Sequence, residues 1–303
     1  MSDFAPLAVM LIAGFGALAL ACVEQVVAGA RPSPVRIARD AVLSLREPIA
    51  RPQSYDGWLF HLAPALLLLS AITALATVPW APAFRGIEVE SGAILFAAAL
   101  AYVTPAVFMA GWGSGRPLAV VGAFRFLALM LGYAMPIAMI TTAVAAPAGS
   151  LAPAAIVEVQ HAVPMALVQP YSLALWLPAV MAVALLAPFD VATAPGELGG
   201  AGVFSRYTGL EAALVALARR VLLLAVAGMT AALFLGGWHG PLLPDALWMA
   251  LKTLAVGAGL LWAGRVFPRV ENDRLVAFAW TFAVPASIGA IALAGLTTLL
   301  FYR

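Results

Sequence analysis

Few side chains in this chain can do chemistry, and most of them sit where apolar runs meet polar loops. Asp190 and Glu197 lie in LLAPFDVATAPGELGGAGVFSRYTG, residues 185–209. A carboxylate there, beside backbone freed by Pro and Gly, can bind protons or a polar ligand at the edge of a membrane. Glu24 closes the first apolar run, and Trp58 and His61 open the second. An amphipathic ring at such a boundary serves any membrane protein as an anchor. Arg125 falls early in an otherwise apolar stretch, so its guanidinium must find a carboxylate, carbonyl oxygens or a polar cavity, or snorkel to the surface. Lys252, the only lysine, stands about one turn into another apolar run and is a candidate proton carrier. Arg46, with Arg31, Arg36, Arg39 and Arg51, makes the loop after the first run strongly basic. Such arginines can bind lipid phosphates or dock a partner.

Other chemistries are missing from the sequence. Cys22 is the only cysteine, so there is no intrachain disulfide and no CxxC pair for an iron–sulfur or zinc site. Its reading is a small core residue. There is no nucleotide-binding loop and no nucleophile constellation. No cofactor is expected to be held by this chain alone.

The elements that must position these residues follow from composition. The chain is 64% hydrophobic and 10% charged, with a mean hydropathy of +1.02; soluble domains carry roughly 25% charged residues. This is an all-α integral membrane protein. The net charge of +2 is spread over loops, which argues against nucleic acid as a partner. Residues 1–3 lack the basic start of a cleaved signal, and the run from Ala5 to Ala28 is long enough to span the bilayer. Eight spans are predicted, near 4–28, 58–80, 91–112, 118–146, 172–190, 211–236, 246–264 and 275–301. Residues 150–171 mix Pro, Glu and His with apolar side chains and are expected to lie along the outer interface or dip into it. The whole of 1–303 reads as one membrane domain.

Arginine asymmetry orients the bundle. Loops after the odd-numbered spans hold nearly all the loop arginines, among them Arg116, Arg206, Arg265, Arg269 and Arg274, whereas the intervening loops hold only Arg85. The positive-inside rule then puts the first set, with Asp190 and Glu197, in the cytoplasm and both termini outside.

The run PFD…EL…G…Y[ST]G at 188–209 resembles a signature of the H-subunit family of respiratory complex I (NADH:quinone oxidoreductase). That family forms the membrane heel under the electron-transfer arm and is related to the anchor subunits of energy-converting hydrogenases. LREPIARPQSYDGWLFHLAP (45–64) is similar to the family's amphipathic cytoplasmic helix running into the second span, a segment that helps line the mouth of a quinone tunnel. GWGSGRPLAVVGAFRFLALMLGYAMP (111–136) matches its GW-x-S loop and G-A-x-R helix start. LFLGGWHGP (233–241), then Lys252 and WAGRVFPRVENDRL (262–275), resemble the family's late spans. The glycines and Trp238 of LFLGGWHGP suit a tight turn and an interfacial anchor.

Departures from the family pattern are concentrated at titratable positions. Leu129 stands where the family usually has Gln, and Ala134 where it has Glu. Val183 and Leu186 replace the Glu and Arg before PFD; Thr193 and Pro195 replace two glutamates after it. Asp190 and Glu197 remain. The resemblance implies quinone-cavity or proton-path roles for Glu24, Arg46, Trp58, His61, Arg125, Asp190, Glu197 and Lys252. It implies partners in peripheral iron–sulfur subunits, antiporter-like and small membrane subunits, a quinone at an interface with partner subunits, and residence in the cell inner membrane. The alternatives are a hydrogenase-type anchor without quinone chemistry, a purely structural heel, and an independent secondary transporter. For Asp190, Arg125 or Arg206 is the expected partner.

Overall fold

The computed structural model describes residues 5–48, 55–84, 86–87, 89–194 and 198–301. Arg51 and Glu197 fall outside the described residues. The helices are α1 Ala5–Val27, α2 Pro34–Arg46, α3 Gly57–Ala76, α4 Gly92–Ala101, α5 Val103–Gly113, α6 Pro117–Ala145, α7 Pro153–Val159, α8 Met165–Val168, α9 Pro170–Val183, α10 Gly209–Phe234, α11 Asp245–Val266, α12 Asn272–Phe278 and α13 Val284–Phe301. A π-helical turn, Ala279–Ala283, joins the last two, and α4 runs almost directly into α5. Among the described residues there is no β-strand.

Seven helical stretches are long and apolar enough to cross a membrane, so the protein is polytopic. A helix pairs most of its backbone groups within the segment, the condition that lipid imposes. The core is built around α10, whose residues from Val221 to Phe234 are all buried. Small side chains along it, including Ala225, Ala227, Gly228, Ala231 and Ala232, let α1, α3 and α11 approach closely. One side-chain bond pins it further, with Trp176 Nε1 donating to Thr230 Oγ1 at 2.8 Å.

One expectation changes. The predicted fifth span, 172–190, is helical only as α9. Its 14 residues reach about 21 Å at 1.5 Å per residue, short of the roughly 30 Å of hydrocarbon. The helix stops because Leu185 takes a left-handed conformation, φ 56°, and Leu186 N closes the end by donating to Met181 O. The apolar run continues past the break, so hydropathy alone could not see it. The amphipathic helix expected after the first span is α2, which overlaps the start of the 45–64 block. Ser33 caps it, its hydroxyl accepting from Arg36 N, and Pro34 opens its first turn. Residues 150–171 are anchored to the bundle at several points, with Ile156, Val157, Gln160 and Met165 buried. Gln160 donates to Ile156 O and Ala232 O and accepts from Met165 N and Gly236 N, which ties the segment to the end of α10.

Candidate functional site

Charged groups from four parts of the chain converge at the end of the bundle that carries the arginine-rich loops. Asp190 follows the break after α9 and is nearly buried, its side chain 11% exposed. Arg269, in the loop after α11, donates to both carboxylate oxygens, Nε to Oδ1 at 3.1 Å and Nη2 to Oδ2 at 3.0 Å. A bidentate fork of this kind is the strongest form of a carboxylate–guanidinium contact. The carboxylate beside it raises the pKa of Arg269, which therefore stays charged. The expectation of Arg125 or Arg206 gives way to Arg269; Arg125 is half-buried and otherwise engaged.

Two glycines make this region possible. A Cβ on Gly264 of α11 would lie 2.7 Å from Ala187 O, and one on Gly122 of α6 would lie 2.8 Å from Ala192 O. Both helices thus press directly on the backbone that carries Asp190.

Arg219, deep in α10, completes the cluster. Its Nη2 donates to Leu185 O at 3.1 Å, the carbonyl of the left-handed residue. Glu24 and Asp190 both attract its guanidinium, and Arg220 repels it. Arg219 thus lies in the field of both carboxylates, while the direct contact of Asp190 is with Arg269. Sequence reasoning singled out Glu24 and Asp190 and missed Arg219. The signal was present, since Arg219 and Arg220 are two cations inside a predicted span, where charge needs a reason.

Beside this cluster is a cavity of about 550 Å³ between α1, α2 and α10. Leu18, Ala41, Leu214 and Leu217 give it an apolar wall, while Gln25, Asp40, Ser44 and Arg220 supply polar groups. Arg46, the last residue of α2, is exposed next to this region.

A second polar group joins the starts of α3 and α10. His61 Nδ1 is bonded to Glu211 Oε1, and Glu211 Oε2 is buried without a partner. Tyr207 stacks on Phe60 with centroids 4.2 Å apart and donates its hydroxyl to Phe60 O at 2.9 Å. Burial, then the negative charge of Glu211, pushes the Tyr207 hydroxyl well above its ordinary value of 10.0. Trp58 is 79% exposed on the same rim. Glu211 was absent from the sequence expectations, because a glutamate in a helix's first turn reads as ordinary capping charge.

Lys252 is far from all of this. Its Nζ donates to Leu235 O, Gly237 O and His239 O at 2.6, 3.0 and 2.7 Å. The ammonium caps the carbonyls that α10 and its Gly-Gly turn leave open.

Comparison with known proteins is consistent with this arrangement. A family described as NADH dehydrogenase matches residues 27–295. The H subunit of NADH-quinone oxidoreductase from Geobacillus kaustophilus is 33% identical over 278 residues, 90% of this chain and 83% of the relative. The corresponding protein of Syntrophotalea carbinolica is 31% identical over 246 residues, 78% of this chain and 74% of the relative. That of Dehalococcoides mccartyi is 32% identical over 249 residues, 82% and 70% of the two chains. With most of its length matched, from the end of α1 into α13, the chain belongs to the H-subunit family of NADH-quinone oxidoreductase, respiratory complex I.

Proposed function

We propose that this chain is the membrane heel of a complex I-like NADH:quinone oxidoreductase. It anchors a peripheral iron–sulfur arm at the arginine-rich end, admits quinone between α1, α2 and α10, and joins that region to antiporter-like proton-translocating subunits. In this reading the arginine-rich end faces the cytoplasm of a cell with the chain in its inner membrane, following the positive-inside rule. The redox centres belong to partner chains.

The observation that carries the reading is the cavity between α1, α2 and α10. It has an apolar body for an isoprenoid tail and polar groups at its rim, and its size falls within the roughly 300–1,000 Å³ of small-molecule sites. Arg220 on its wall adjoins Arg219, which lies in the field of Glu24 and Asp190. This gives a route by which a change at the cavity can bias groups deeper in the bundle through electrostatics.

The test is Leu217→Trp, which fills the cavity wall. In the assembled complex it should cut NADH:quinone reduction severalfold while leaving electron transfer from NADH to a soluble artificial acceptor unchanged. Unchanged quinone reduction would remove the quinone-access role and leave a second reading, a structural or hydrogenase-type anchor. That second reading draws on one observation: Leu129, Ala134, Val183 and Leu186 are apolar where the family carries polar or charged side chains.

A further inference from the structure

The break that leaves α9 short also leaves a space beside it. A cavity of about 780 Å³ follows α9 from Leu173 past its end to Pro188 and Phe189, and follows α11 from Val256 to Val270. Its wall is apolar. Thr230 and Trp262 are its only lining residues with polar side-chain atoms, and the Thr230 hydroxyl already serves Trp176 and Val226. Water and polar solutes gain nothing in such a space. The cavity opens toward lipid, because Trp262 and Phe267 line it and are 60% and 59% exposed.

One end of the cavity is charged. Asp190 directly follows the lining residues Pro188 and Phe189, and Arg269 lies between the lining residues Pro268 and Val270, so their ion pair stands at that end. The two bonds to Asp190 use only part of the guanidinium's fork of donors, and the Arg269 side chain remains 53% exposed. Depth fits as well. The 22 residues of α11 reach about 33 Å at 1.5 Å per residue, close to the roughly 30 Å of hydrocarbon. The loop that follows, with Phe267 and Arg269, therefore lies at the level of lipid phosphates. Beside it α9 falls about 9 Å short of the same thickness, and a hydrophobic shortfall has to be accommodated by the surrounding lipid or protein.

We propose that this cavity holds an acyl chain of an anionic phospholipid whose phosphate binds the outer edge of Arg269. A guanidinium matches two phosphate oxygens with parallel donors, and basic pockets between membrane helices on the cytoplasmic side bind anionic headgroups. The acyl chain takes the place of the turns that α9 lacks and shields the broken backbone of residues 185–188. The site shares no lining residue with the cavity between α1, α2 and α10, and it does not depend on quinone entering there.

The experiment uses the assembled complex in nanodiscs that contain a trace of phosphatidylglycerol with a diazirine at the end of one acyl chain. After illumination, adducts are located by peptide mass spectrometry and should fall on residues 173–181 and 256–263. Unlabelled phosphatidylglycerol should displace the probe about fivefold better than phosphatidylcholine, the effect of one arginine near an anionic surface. Arg269→Gln should remove that preference. Gly259→Phe should abolish labelling of both segments; a Cβ on Gly259 meets nothing within 4 Å, so the ring enters the cavity without disturbing the fold. Leu217→Trp should label as wild type does, which separates this test from that of the quinone-access role. No adduct on either segment, as when a partner's helix covers the groove, overturns the proposal. So does equal displacement by the two lipids, or labelling unaltered in Gly259→Phe.

Discussion

Arg269 grips both oxygens of Asp190, 79 residues away in sequence, and so fastens the loop after α11 to the broken segment after α9. The break after a helix too short to span, a nearly buried carboxylate and a half-exposed guanidinium form one unit. Removing the guanidinium alone would leave Asp190 desolvated without a counter-charge, the more damaging of the two deletions.

The first prediction concerns that pair. Arg269→Gln should destabilise the folded chain by about 1–3 kcal/mol, seen as a lower unfolding midpoint in detergent. Asp190→Asn keeps the shape and removes both charge and titration. It should leave assembly intact and reduce proton translocation per NADH oxidised. Full coupling in an assembled Asp190→Asn/Glu197→Gln variant would leave these carboxylates a structural role only.

The second prediction concerns Lys252. Its three donors all meet backbone carbonyls, so Lys252→Met should cost about 2–4 kcal/mol and lower the thermal midpoint. Complexes that do assemble should keep their coupling. A Met variant as stable as wild type but uncoupled would instead make Lys252 a proton carrier.

The third is a pH dependence. Tyr207 has its folded pKa raised above the ordinary 10.0, so the folded state holds its proton more tightly than the unfolded state does. The stability contributed is fully present below about pH 10 and is lost as pH rises from there. Thermal midpoints measured from pH 8 to 11 should therefore fall more steeply for wild type than for Tyr207→Phe. Below pH 9 the Phe variant should be the less stable by about 1 kcal/mol, through loss of the bond to Phe60 O. Parallel curves over the whole range would exclude Tyr207 as the titrating group.

The fourth is topological. A cysteine introduced near Arg39 should react with an impermeant thiol reagent only after the cytoplasmic face is opened, and one near Asp245 should react in intact cells. Labelling of the Arg39 site in intact cells would reverse the orientation.

Much of this protein was legible in its residues one stretch at a time. Apolar runs and their lengths set an all-α membrane bundle, because lipid permits little else. The Pro188–Phe189–Asp190 turn, the glycines after it and the LFLGGWHGP block pointed to the family. Glu24 and Asp190 were recognisable as charges at membrane boundaries.

Contacts between distant segments were decided only by the tertiary structure. That Asp190 pairs with Arg269 and not with Arg125 or Arg206 depends on how α9 breaks and how closely Gly264 lets α11 approach. Neither property has a local signature, since Leu185 is an ordinary apolar residue until its backbone turns left-handed. Arg219 needed the folded neighbourhood to meet the carbonyl of Leu185, and Glu211 needed His61 across from it. Hydrophobicity acts on each segment by itself and so is written locally. Pairing of polar groups depends on distances across the fold, which are fixed when the helices pack.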